Sequence, residues 1–220
     1  MQQYTICWHN LHKPGHETAK VTLETASSGL HLQGTAVFVD DNMPCRLDYT
    51  VQCLPTGETE SARVQGWLGN RDVDVQIHVQ AGDWYVNGEV QPHLTGCVDI
   101  DFHFSPLTNI LPIRRLQLSD GQGSKGQGAK RQGAKRQGAK RQGAKRQSAE
   151  VRAAWLKLPM LNLEPLTQRY TRKHPHQYQY ESIDSGFVTD IDVNDIGLVT
   201  RYPDLWQAVA STCDEGELQH

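Results

Sequence analysis

The feature that most constrains this chain is a strict alternation of apolar and polar residues. Residues 72–79 read Asp-Val-Asp-Val-Gln-Ile-His-Val, with Val73, Val75, Ile77 and Val79 at every second position. Residues 98–104 repeat the pattern, setting Val98, Ile100, Phe102 and Phe104 against Asp99, Asp101 and His103. Side chains of an extended backbone point alternately to opposite faces, so each run predicts a strand with one apolar face. Weaker strand patterns run over 17–25, 29–39, 45–54, 61–68, 113–118, 151–163, 166–173, 176–182 and 187–193. Asn87-Gly88 separates two short apolar runs, and this pair tolerates the two positive φ angles of a hairpin turn. Asn194 to Gly197 predicts a second turn. Residues 203–210 predict a short helix, with Pro203 in its first turn. No strand–helix–strand rhythm is present, which argues against a doubly wound fold. The expected fold class is all-β and antiparallel, with a short C-terminal helix.

The formal net charge of −3 hides two unlike parts. Residues 121–147 hold five Lys, four Arg and no acid, whereas the rest of the chain holds 13 basic and 25 acidic residues. Within this insert Gln-Gly-Ala-Lys-Arg occurs four times in succession. A period of five does not match 3.6, so a helix would scatter the basic residues around its circumference. No apolar residue larger than Ala can anchor the segment by burial. It reads as a disordered loop interrupting one domain that runs over 1–220. Gly121-x-Gly123-x-x-Gly126 matches a dinucleotide fingerprint only formally, because no strand–turn–helix surrounds it. The acidic body is not expected to bind nucleic acid. The basic loop leaves open an interaction protein that acts through it.

No run of apolar residues is long enough for a membrane-spanning helix, and the first residues carry no secretory pattern. The five cysteines form no Cys-x-x-Cys pair. Cys45 and Cys53, if on one extended segment, lie roughly 26 Å apart, too far to bridge. A reducing, cytoplasmic setting is expected.

Candidate chemistry centres on Asp99-x-Asp101-x-His103, followed by Arg114 and Arg115. Two carboxylates and an imidazole on one strand face suit either the polar wall of a cavity or metal-assisted or acid–base hydrolysis or elimination. If the segment is extended, at most one of the two arginines joins the carboxylates. Trp84, Trp155, Tyr170, Tyr178 and Tyr180 fall in strand-like segments with Arg169 nearby, and such residues suit the wall of a cavity for amphiphiles or sugars. No nucleophile elbow, zinc-protease helix or phosphate loop is present. No cofactor or metal is expected, and neither is an enzyme.

Several runs resemble a bacterial family labelled putative glycolipid-binding. They are Gly82-Asp-Trp84-Tyr-Val-Asn-Gly88, Leu94-Thr-Gly-Cys-Val-Asp99-Ile-Asp101 and Ser105-Pro-Leu-Thr-Asn109-Ile-Leu-Pro-Ile-Arg114-Arg115-Leu116. Ala154-Trp155-Leu-Lys-Leu-Pro159, Gln168-Arg169-Tyr170, Tyr178-x-Tyr180 and Gly197-Leu-Val-x-x-Tyr202-Pro203 extend the resemblance, and Trp8 and Glu17 resemble the family's opening. The resemblance implies a spiral β-roll, a curved antiparallel sheet wrapped around a cavity. It implies non-enzymatic binding of an amphiphilic small molecule or glycolipid. The expected ligand-binding residues are Trp84, Asp99, Asp101, Asn109, Arg114, Arg115, Trp155, Arg169, Tyr170 and Tyr180. The chain departs from the family mainly in the loop after Leu118.

Overall fold

The computed structural model describes residues 1–23, 29–120 and 147–215. The repeat at 121–146 and the reading placed on it lie outside the described residues. The first eight strands are β1 (Gln2–Asn10), β2 (Gly15–Leu23), β3 (Leu30–Asp40), β4 (Met43–Cys53), β5 (Thr59–Leu68), β6 (Arg71–Gln80), β7 (Asp83–Val86) and β8 (Glu89–Val90). After β9 (Asp99–Phe102) comes a 3-10 turn at Leu107–Asn109 that runs into α1 (Ile110–Leu116). The remaining strands are β10 (Ser148–Lys157), β11 (Asn162–His174), β12 (Gln177–Ser182), β13 (Phe187–Val193), β14 (Val199–Tyr202) and β15 (Trp206–Glu215).

All fifteen strands join one sheet in the order β8-β7-β6-β5-β4-β3-β2-β1-β15-β14-β13-β12-β11-β10-β9. Two meanders are therefore stitched together by the pairing of the first and last strands. Every pairing is antiparallel except β9 with β10. The β9 edge folds back onto β5: Thr59 N–H donates to Val98 O at 3.1 Å and Ile100 N–H to Thr59 Oγ1 at 2.9 Å. Because β6–β8 continue past this contact, the sheet rolls up as a spiral. The fold is the spiral β-roll that the sequence led us to expect. Asn87 and Gly88 make their turn with φ of 49° and 84°, as Asn-Gly should.

Two expectations need correction, and one strand was not foreseen. Residues 203–210 are not a helix. Pro203–Leu205 form a turn with Asp204 at φ 62°, and Trp206 begins β15. Pairing along nearly the whole of β1 outweighs the local helical preference. Residues 113–118 are not a strand, since Ile113 to Leu116 belong to α1. Leu107, Ile110 and Leu111 have helical spacing and are all buried. Pro112 sits in the first turn of α1, where its missing N–H costs no helical bond. The first strand, β1, has too weak an alternation to be recognised in sequence.

The segment from Phe102 to Ile113 acts as a plug inside the roll. Phe102 and Phe104 pack edge-on to Tyr49 with ring centroids 5.2 and 5.8 Å away. Ile110 and Leu111 are fully buried in the same core. Tyr49 can lie across β3 only because its cross-strand partner is Gly34. A Cβ on Gly34 would come within 2.5 Å of Tyr49 Cζ. Gly34→Ala is therefore expected to lower stability by about 1–3 kcal/mol through overpacking. Urea unfolding checks this, and a loss below about 0.5 kcal/mol would show that the Tyr49 ring moves aside freely.

Candidate functional site

The plug fills the concave face of β1–β5 but not that of β11–β14. Between them remains a cavity of about 490 Å³, within the size range of pockets for one drug-sized ligand. Its plug side is formed by Asp101, Phe102, His103, Ser105, Pro106 and Asn109. Trp155 of β10 and Glu164, Pro165 and Leu166 of β11 form one flank. Tyr180, Ser182, Asp184, Ser185 and Phe187 form the next. Tyr202, Leu205 and Trp206 close the other side. Strand alternation explains the inward set on β12, where Tyr178, Tyr180 and Ser182 are buried.

The floor is a hydrogen-bonded polar network. Asp101 Oδ1 accepts from Thr108 Oγ1 at 2.8 Å, and Asp101 Oδ2 accepts from Gln168 Nε2 at 2.7 Å. Gln168 Nε2 also donates to Tyr180 Oη at 3.2 Å. Tyr170 Oη donates to Asn109 Oδ1 at 2.8 Å, and Asn109 Nδ2 donates to Pro106 O at 3.1 Å. Burial lifts the Asp101 carboxyl above its ordinary value, and the donors from Thr108 and Gln168 offset this only in part. His103 is pushed down by burial, and its Nδ1 accepts from the Leu158 N–H at 3.3 Å. The opposite wall is aromatic: Tyr180, Phe187 and Tyr202 sit with centroids 6.0–6.4 Å apart.

Asp101, Asn109, Trp155 and Tyr180 are thus brought together at the cavity, whereas the other six expected residues do not line it. Trp84 is buried elsewhere, with its indole N–H donating to Cys97 O at 3.1 Å. Tyr170 lies beneath the floor and reaches it through Asn109. Arg169 pairs with Glu150 and Glu181 beside the sheet, not within the cavity. Asp99 is buried and ion-paired with Arg115. Arg115 and Arg114 border a separate depression beside Gly57, and Arg114 Nη1 donates to Ile196 O at 3.1 Å. The set Asp99, Asp101 and His103 is therefore split: the second and third border the cavity and the first does not. Both faces of β9 are covered, so alternation alone misplaces Asp99. Among the described residues no three His, Cys, Asp or Glu side chains converge as a metal set.

Sequence reasoning missed Thr108, Gln168, Asp184, Phe187 and Trp206. Trp206 was hidden by the helical reading of its segment. Thr108 and Gln168 lie within the runs that carry the family resemblance but were not singled out, and Asp184 and Phe187 carry no local signal.

Behind the plug lies a second buried polar group. Glu17 of β2 is about 1% exposed. Its Oε1 accepts from Tyr49 Oη and, at 2.7 Å, from Ser105 Oγ. Its Oε2 is buried without a partner. Burial raises the Glu17 carboxyl to about 8, with the bonds from Ser105 and Tyr49 opposing the rise.

The sequence pattern of a family described as "Putative glycolipid-binding" matches residues 5–127 and 139–208, and its break falls inside the repeat. A DUF1089 family protein from Pseudomonas aeruginosa is similar in structure, with 28% identity and a TM-score of 0.68 over 87% of this chain and 91% of that one. A beta-barrel-like protein of domain of unknown function DUF1849 from Brucella abortus shares the fold, with 9% identity and a TM-score of 0.51 over 97% and 98% of the two chains. A search of curated proteins gives no match.

Proposed function

The chain belongs to the putative glycolipid-binding family, and from that membership we propose that it binds an amphiphilic, lipid-like ligand without chemical conversion. The observation that carries this reading is the cavity between the plug and β11–β14. It sets an aromatic wall of Tyr180, Phe187 and Tyr202 opposite a polar floor of Asp101 and Asn109. An apolar chain gains by lying against the rings, and a polar head gains by bonding the floor. Of the residues expected from sequence, Asp101, Asn109, Trp155 and Tyr180 are those we assign to ligand contact. The whole chain acts as one domain in this reading. All five cysteines are free, which supports a reducing compartment such as the cytoplasm.

Ser185 offers a clean test, because it borders the cavity yet is exposed. Ser185→Trp is expected to fill the space and weaken binding of octyl glucoside at least about tenfold, with the fold intact by circular dichroism. Native mass spectrometry and tryptophan fluorescence titration measure this. If the parent protein binds no octyl amphiphile, or the variant binds it equally well, the cavity is not the binding site.

A further inference from the structure

The charge around the cavity is one-sided. Asp101, Glu164 and Asp184 border it, and among the described residues no Lys or Arg does. The nearest cations are already engaged. Lys157 pairs with Glu164 at 2.9 Å and lies over the Trp155 ring, and Lys13 pairs with Asp40. Arg115 and Arg169, which might have supplied a positive floor, are held by Asp99, Glu150 and Glu181. His103 is held toward its neutral form.

We infer that this cavity takes an uncharged, hydroxyl-rich head and rejects phosphorylated or carboxylated ones. The inference rests on the binding role proposed above and names the class of head that the site accepts. Ionised carboxylates only accept hydrogen bonds, so they suit a head rich in O–H donors. Asp101 already accepts from Thr108, Gln168 and the Phe102 N–H, whereas Asp184 uses Oδ2 for the Thr167 N–H at 3.0 Å, leaving Oδ1 for a ligand. Sugar rings also present C–H faces that stack on aromatic side chains such as Trp155. An anionic head meets the opposite situation. It finds no cation to pair with, and each carboxylate it approaches repels it or must take up a proton. The wall thus discriminates by repulsion as well as by attraction.

Three probes sharing one tail separate the possibilities: octyl glucoside, octyl phosphate and octylamine, each titrated below micelle formation against the full chain. Tryptophan fluorescence reads binding, since Trp155 and Trp206 border the cavity. Octyl glucoside is expected to bind at least about tenfold tighter than octyl phosphate. Asp184→Asn, which changes an exposed side chain, is expected to narrow that gap at least about threefold by improving phosphate binding. Octyl phosphate binding as tightly as the glucoside overturns the inference while leaving the binding role intact. Octylamine binding more tightly than the glucoside also overturns it, because charge pairing would then outrank hydroxyl recognition. Failure of all three probes to bind sinks the binding role itself. An unchanged gap in Asp184→Asn, with the glucoside still preferred, overturns the assignment of selectivity to this carboxylate wall.

Discussion

Arg115→Ala is expected to lower the stability of the fold by about 3–5 kcal/mol. Asp99 is about 1% exposed, and Arg115 meets it through both Nε, at 3.3 Å from Oδ1, and Nη2. Burial already raises the Asp99 carboxyl, and the guanidinium brings it only part of the way down. Removing the guanidinium leaves a buried carboxylate that must either stay charged without a partner or take up a proton. The pair also ties the last turn of α1 to β9, so its loss frees that end of the helix. A second substitution distinguishes this cause from simple loss of packing. Asp99→Asn on the Arg115→Ala background removes the orphaned charge and should restore roughly half of the loss. Urea denaturation of the single and double variants measures both quantities. A single-variant loss below about 1 kcal/mol, or no recovery in the double variant, would falsify the charge account.

Glu17 is expected to make the fold lose stability as pH rises. The folded carboxyl holds its proton to about pH 8, against an ordinary value of 4.5. Between those values the folded state binds more protons than the unfolded state, so stability falls with rising pH. The slope is about 1.4 kcal/mol per pH unit, or on the order of 5 kcal/mol across the window. Asp99 and Asp101 are shifted the same way and His103 has the opposite effect, so the parent curve alone is a mixture. The difference between the parent and Glu17→Gln isolates the one group. The amide still offers an oxygen to Tyr49 and Ser105 but does not titrate. The variant should gain on the parent steadily from pH 5 to pH 8. Parallel stability curves over that range would show that Glu17 stays ionised in the fold.

These two groups also show how far the sequence could be read. Alternation in 72–79 and the Asn-Gly pair each specified local structure, because the rules that apply there reach across only a few residues. The runs around Thr108, Arg115 and Tyr202 carried the family resemblance, and with it the roll. Asp101 was found because it shares a strand face with Asp99 and His103. Its partners, Gln168 and Thr108, were not found, because one lies 67 residues away and the other sits in a segment taken for turn and strand. The two arginines were placed on a strand, with at most one of them beside the carboxylates. On a helix, Arg115 reaches back to Asp99 and Arg114 reaches Ile196. Trp206 was lost to a local helical preference that β1 overrides.

The sequence by itself determined that this chain is built of antiparallel strands, since period-two patterning permits little else, and the family resemblance supplied the roll. It also determined that polar groups cluster around Asp101. Only the tertiary structure decided which carboxylate faces the cavity and which is locked to an arginine. It alone decided that no Lys or Arg among the described residues borders that cavity. The physical reason is closure: where β9 folds back against β5 and α1 both of its faces are covered, so alternation no longer tells inside from outside. There, contacts between distant strands decide where each charge points.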